Sequence, residues 1–236
     1  MPKSSVDEIQ ARFDEDVERF SSLDTAQESV VDARPLLDRT TQAAARTTPG
    51  ATRVLDVGCG AGNYSLKLLQ HLDALHVDLI DLSRPMLNRA VERVGAATTG
   101  TVRPIQADIR KVSLEPESYD IIMAAAVLHH LRTDAEWTAV ATKLYEALRP
   151  GGTVWVTDLV DHDTPAVQDV MWDAYGAYLE SRDGPAYREQ VFDYIEQEDT
   201  PRPLLEQIDR FRAAGFDRAE ILHKNATFGA FGVLKR

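Results

Sequence analysis

The chain is short of several things. Among its 236 residues there is one cysteine, Cys59. A single thiol cannot close a disulfide within the chain, which suits a reducing, cytoplasmic compartment. Long apolar runs are missing; the longest, Ile121 to Leu128, has eight residues, against the roughly 20 that a membrane-spanning helix needs. No membrane span is therefore expected. The first residues carry Lys3, Asp7 and Glu8 but no apolar stretch, so no secretory signal is read there. No C-x-x-C or H-x-x-x-H pattern occurs, and the adjacent pair His129-His130 is expected to diverge, so no metal is expected. Basic residues are also scarce, 26 against 38 acidic, for a net charge of −12. Residues 161–200 alone hold 11 acidic and 2 basic side chains. A nucleic-acid surface leaves the opposite footprint, so this balance argues against such a partner. A solvated acidic face would produce the same count.

What is present is ordinary globular material, 44% hydrophobic and 27% charged. Residues 5–20 read as one helix, with Val6, Ile9, Phe13, Val17 and Phe20 on a single face. A second helix is read over 28–46, stopped by Thr47-Thr48-Pro49-Gly50. Short apolar strands then alternate with helices. Strands are expected at 54–57, 75–80, 102–107, 119–126 and 153–160, with helices after the first, at 85–94 and at 134–148, and a turn at Arg149-Pro150-Gly151-Gly152. This rhythm, with nearly continuous apolar strands, implies a parallel sheet covered on both faces. The acidic stretch 161–200 interrupts it with helical, aromatic-rich sequence. A helix at 204–214 and strands at 219–223 and 227–234 close the chain as an antiparallel hairpin. The expected fold is α/β and Rossmann-like, a seven-stranded, mostly parallel sheet with helices on both faces. We read one domain: N-terminal helices (1–50), a cofactor-binding core (51–160), a lid insertion (161–203), and a final helix and hairpin (204–236).

The strongest signal is Val54-Leu55-Asp56-Val57-Gly58-Cys59-Gly60-Ala61-Gly62. A glycine loop between strand and helix lets backbone N–H groups approach a ligand. A dinucleotide fingerprint would need G-x-G-x-x-G, and the third position here is Asn63. Asp56 at the mouth of the loop would repel a pyrophosphate; it suits a cofactor carrying an amine and a sulfonium. Asp81, ending the second strand, can accept hydrogen bonds from two ribose hydroxyls, though it could instead cap the following helix. Asp108, ending the third, is placed for an adenine amino group. Cys59 reads as a small residue packed into the turn.

Together with Asp81-Leu82-Ser83-Arg84-Pro85-Met86-Leu87, Ala107-Asp108-Ile109, Leu128-His129-His130-Leu131 and Leu148-Arg149-Pro150-Gly151-Gly152, this loop resembles the class I S-adenosylmethionine (SAM)-dependent methyltransferases. The resemblance runs from about residue 50 to the C-terminus. It implies that Asp56, Gly58, Cys59, Gly60 and Gly62 lie by the methionyl part of SAM and that Asp81 holds the ribose. It further implies that Leu82 and Met86 flank the adenosine, that Asp108 and Ile109 read the adenine, and that Ala125 and Ala126 face the sulfur. It places His129 and His130 where catalytic groups meet an acceptor, although a histidine in such a corner also serves as a structural hydrogen-bonding residue. It makes 161–200 a roof over the site, with Trp172, Tyr175 and Tyr178 as candidate substrate contacts, or else as residues that pack on the N-terminal helices or on a second subunit.

More distantly, the order of elements is similar to the carboxy-SAM enzymes that modify the tRNA wobble uridine. Those enzymes pair an insertion arginine with the extra carboxylate. Phe192 falls at that position here, and Arg188 lies one turn earlier. The expectation is therefore methyl transfer from ordinary SAM to a neutral or cationic small molecule, yielding S-adenosylhomocysteine. A tRNA-modifying transferase and a non-catalytic SAM sensor remain as alternatives. The N-terminal helices and the insertion are candidate homodimer contacts.

Overall fold

The computed structural model describes residues 3–22 and 28–236. Its strands are β1 (Arg53–Val57), β2 (His76–Asp81), β3 (Val102–Gln106), β4 (Tyr119–Ala125), β5 (Leu148–Asp161), β6 (Arg202–Pro203), β7 (Arg218–Asn225) and β8 (Phe228–Leu234). Its helices are α1 (Val6–Glu15), α2 (Val17–Ser21), α3 (Ala33–Thr47), α4 (Asn63–Leu68), α5 (Arg84–Ala97), α6 (Asp134–Ala147), α7 (Pro165–Glu198) and α8 (Leu204–Ala213).

Seven strands run in the order β3-β2-β1-β4-β5-β8-β7, and the two-residue β6 pairs with the end of β5. The first five are mutually parallel, while β8 is antiparallel to both β5 and β7. This is the expected sheet with its terminal hairpin, the last strand slotted between β5 and β7.

Alternation along the strands sorts the core. Leu55, Val57, Ile122, Val154 and Val156 face α6 and α8, where Trp137, Leu144, Ile208 and Phe211 cover them. Val54, Val77, Leu79, Ile121 and Met123 face the other way, under Leu37 of α3, Leu68 of α4 and Leu87 of α5. The strand residues are apolar on both sides because both sides are covered.

Four local readings change. The helix read over 5–20 is broken at Asp16, whose backbone leaves the helical region (φ −99°, ψ 15°), so α1 and α2 are separate. Ser5 starts α1 through a capping box with Glu8. The helix read from 28 begins at Ala33, after turns. The turn at Arg149–Gly152 lies inside β5, which pairs with β4 at Leu148 and again from Thr153, with an irregularity between. Finally, the insertion forms one long helix bent at Asp183 and Gly184 (φ 78°), just before Pro185; glycine accommodates the left-handed backbone and proline starts the second half.

No helix among the described residues is long and apolar enough to cross a membrane.

Candidate active site

The sheet order reverses between β1 and β4, which is where open α/β sheets bind ligands beyond their strand ends. A cleft of about 660 Å³ lies there. Its floor comes from the ends of β1, β2, β4 and β5 and the segment after β3. Its roof comes from two segments far apart in the chain: α1 and α2, through Ile9, Phe13 and Phe20, and the second half of α7, through Tyr187, Val191, Tyr194 and Ile195. The apolar face read on the N-terminal helices is thus spent on the chain's own cleft. Lys3 and Ser4 pin this strap: the Lys3 ammonium donates to the carbonyls of Glu196 and Asp199, and the Ser4 hydroxyl donates to Glu198 Oε1 at 2.6 Å.

The glycine loop turns at Gly58 (φ 64°) and Gly60 (φ 49°), both of which line the cleft. The Gly60 N–H donates to Asp81 Oδ2 at 2.8 Å, and Ser83 N–H donates to Oδ1 at 2.9 Å. Asp81 therefore ties the loop to the end of β2, while Ser83 caps α5. Burial raises the Asp81 carboxyl against the lowering effect of those amides.

Gly62 (φ 83°) is different. It is absent from the cleft lining, and a Cβ there would sit 2.8 Å from Val94 Cγ2. It lets α4 close onto α5. Left-handed strain of about 1–2 kcal/mol plus overpacking of about 1–3 kcal/mol make Gly62→Ala a stability variant. Its melting temperature should fall by about 5–15 °C in a thermal scan.

Asp56 is 1% exposed and accepts from the Ser65 hydroxyl at 2.6 Å. Burial pushes its carboxyl up to about 7, with Ser65 opposing and the Asp81 charge adding to the rise. Cys59 is buried and unpaired, and burial pushes its thiol well up. Leu82, Met86, Asp108, Ile109, Ala125 and Ala126 also line the cleft. Asp108 is gripped by the Arg110 guanidinium, with Nη2 donating to Oδ2 at 2.7 Å. Burial would raise its carboxyl, but the Arg110 hydrogen bonds and charge outweigh that and hold it below the usual value.

His129 and His130 occupy a single 3₁₀ turn after β4 (Leu128–His130). His129 Nδ1 bonds Asp158 Oδ1 at the end of β5, and its backbone N–H donates to Asp158 Oδ2 at 3.1 Å. Burial disfavours the His129 imidazolium, but Asp158 and Asp199 outweigh it and raise the ring to about 9. Burial, with the charges of His129 and Arg132, pushes His130 well below its ordinary value. Asp158 and Asp199 went unread in the sequence, where nothing marks either carboxylate. They meet the histidines only because the end of β5 and the end of α7 converge.

The candidate substrate aromatics separate. Tyr175 lines the cleft, its hydroxyl donating to the Ser29 carbonyl at 2.9 Å. Trp172 lies outside the lining and packs edge-on to Phe192, 4.7 Å between centroids. Tyr178 also lies outside it, donating to the carbonyls of Glu28 and Val30. Of the acidic residues in 161–200, only Asp199 lines the cleft. The charge of that stretch faces elsewhere, as a solvated surface would, and it does not argue for acceptor charge.

Sheet order, glycine loop, and carboxylates ending or following β1, β2 and β3 together define the class I SAM-dependent methyltransferase fold. Residues 54–152 match the methyltransferase-domain family. The chain is similar to an uncharacterized methyltransferase of Mycobacterium tuberculosis, 31% identical over 123 residues, which are 52% of this chain and 57% of that protein. The chain thus spans little more than half the length of that relative. It is also similar to the carboxy-SAM synthase of Shewanella amazonensis, 28% identical over 195 residues, 80% of this chain and 77% of that enzyme. Among solved structures, human N-acetylserotonin methyltransferase in complex with SAM matches 96% of this chain and 56% of its own, with a TM-score of 0.60 and 17% identity. An O-methyltransferase family protein from Burkholderia thailandensis matches 95% and 62%, with a TM-score of 0.67 and 16% identity.

Proposed function

We propose that this protein is a SAM-dependent methyltransferase acting on a small acceptor with an apolar body. The observation that carries the reading is one cleft that gathers the glycine loop, Asp56, Asp81 and Asp108 together with the His129–Asp158 pair. The donor set fits SAM. Asp56 would face the methionyl amine, and Asp81, already fixed by two amides, would take the ribose hydroxyls. Leu82 and Met86 would sandwich the adenosine. Asp108 and Ile109 would meet the adenine, with Arg110 holding the Asp108 carboxylate in place. Gly58, Cys59 and Gly60 would let the methionyl end approach the backbone, and Ala125 and Ala126 leave space beside the sulfur.

When bound, SAM supplies a methyl group already activated for in-line displacement. The protein's share is positioning, which is capable of removing about 7–11 kcal/mol from the barrier, together with exclusion of water. Phe13, Phe20, Tyr187 and Tyr194 provide an apolar roof for both. At the acceptor end, His129 is oriented by Asp158, and His130 presents an unpaired Nδ1. His129 is suited to orient the acceptor, and the neutral His130 ring is suited to take up its proton.

Ordinary SAM is favoured over carboxy-SAM because Phe192 and Arg188 both lie off the cleft; Arg188 Nη1 instead pairs with Glu180 at 2.8 Å. A buried, unpaired Cys59 suits a reducing cytoplasmic setting.

Two assays test the proposal. Thermal shift should show stabilisation by SAM and S-adenosylhomocysteine but not by NADH. A panel of small aromatic and aliphatic hydroxyl and amine acceptors should give S-adenosylhomocysteine by mass spectrometry. Stabilisation by NADH alone would overturn the cofactor assignment, and SAM binding with no turnover on any acceptor would favour a sensor.

A further inference from the structure

The acceptor end of the cleft has more chemistry than a base requires. The 3₁₀ turn brings the rings of His129 and His130 to 4.4 Å between centroids, where an extended segment would splay them. Asp199, at the C-cap of α7, reaches both: its Oδ1 is 3.6 Å from His129 Nε2 and 3.3 Å from His130 Nδ1. The three atoms all lie within 4.8 Å of one another. Metal–nitrogen and metal–oxygen bonds of about 2.0–2.1 Å in a tetrahedral zinc site set ligand atoms roughly 3.3 Å apart, so two of the three edges need almost no adjustment.

Two further facts point to a ligand. Asp199 is only 4% exposed, yet its Oδ1 has no hydrogen-bond partner, and neither does His130 Nδ1. Buried polar atoms left in that state cost stability unless something fills the space between them. In addition, His129 Nδ1 is already engaged by Asp158, which turns Nε2 toward Asp199. A carboxylate on the far nitrogen of an imidazole is the arrangement that orients metal-binding histidines and raises their basicity.

We propose that His129 Nε2, His130 Nδ1 and Asp199 Oδ1 form a binding site for a divalent transition-metal ion of the zinc–cobalt class. Two imidazoles and one carboxylate suit such ions better than magnesium or calcium, which prefer oxygen ligands. All three residues line the cleft, so a fourth position opens toward the acceptor. The role of that position rests on the methyl-transfer reading; binding of the ion does not. An acceptor hydroxyl coordinated there loses its proton to water at a lower pH, and its oxygen lone pair remains available to form the new bond to carbon. The preferred acceptor is then a hydroxyl compound.

The test uses the whole chain, freed of any tag and dialysed against chelator, then titrated with Co²⁺ by calorimetry and visible absorption. One equivalent should bind and give the intense d–d bands of a four- or five-coordinate ion. Asp199→Asn and His130→Gln, each checked for folding by near-UV circular dichroism, should bind at least about 10-fold more weakly. His130 lies nearer the surface than Asp199 and serves if the buried substitution fails to fold. Absence of Co²⁺ uptake by the unmodified protein overturns the site, as does uptake unchanged in both variants. SAM binding is measured on the same metal-free sample. SAM binding without metal uptake removes the metal site alone, and metal uptake without SAM binding removes the cofactor reading alone.

Discussion

Replacing Asp81 with alanine should weaken SAM binding by roughly 100-fold or more in calorimetry while leaving a folded protein. Asp81 has two jobs. Its oxygens already hold Gly60 and Ser83 at 2.8 and 2.9 Å, and the remaining lone pairs are free for two ribose hydroxyls. Hydrogen bonds to a charged group contribute about 1.5–3 kcal/mol each, so removing two corresponds to roughly a 100-fold loss of affinity or more. Loosening of the glycine loop adds to that. Asp81→Asn keeps one acceptor oxygen and should lose affinity by only about 10-fold. If Asp81→Ala binds SAM normally, the cofactor lies elsewhere in the cleft.

The second large effect is a pH dependence. SAM should bind about 50-fold more tightly at pH 7 than at pH 5. Asp56 is buried beside Ser65 and Asp81, and its carboxyl stands at about 7 in the ligand-free protein. About one chain in a hundred then carries an ionised Asp56 at pH 5, and about half do at pH 7. A cationic amine beside it favours the ionised form, so binding releases a proton and strengthens as pH rises. The stability of the ligand-free protein runs the other way. Its folded-state value lies above the 3.8 of the free group, so the native state binds the proton more tightly than the unfolded chain does. Asp56 therefore costs stability progressively as pH climbs from about 4 to about 7. Calorimetry in buffers of different ionisation enthalpy measures the released proton. Asp56→Asn should flatten the affinity profile between pH 5 and 7; an unchanged slope in that variant would place the titrating group elsewhere.

Much of this was legible in the amino-acid order, for identifiable reasons. Near-continuous apolar strands such as Ile121–Ala124 are buried on both faces and announce a parallel sheet. Gly58 and Gly60 stand where the chain must turn with a positive φ. The end of each early strand carries its own carboxylate, so Asp56, Asp81 and Asp108 could be placed without tertiary information. What stayed hidden depends on convergence. Asp158 and Asp199 are unremarkable acids until the ends of β5 and α7 meet at the His129-His130 turn. Trp172 and Tyr178 look like substrate contacts because aromatic spacing marks an apolar face without saying which neighbour receives it. The five apolar residues of 5–20 likewise reveal a buried face, but neither the break at Asp16 nor the cleft beneath.

The bend at Gly184 gives α7 a division of labour that matters for engineering. Before it, Leu179 belongs to the core, and so does Tyr175, which also reaches the cleft; changing either endangers the fold. Tyr187, Gln190, Val191 and Tyr194, beyond it, face the cleft. A library confined to those four positions samples acceptor preference on an intact scaffold. A swap of the segment from Pro185 onward tests whether the roof of one relative can be transplanted onto the floor of another.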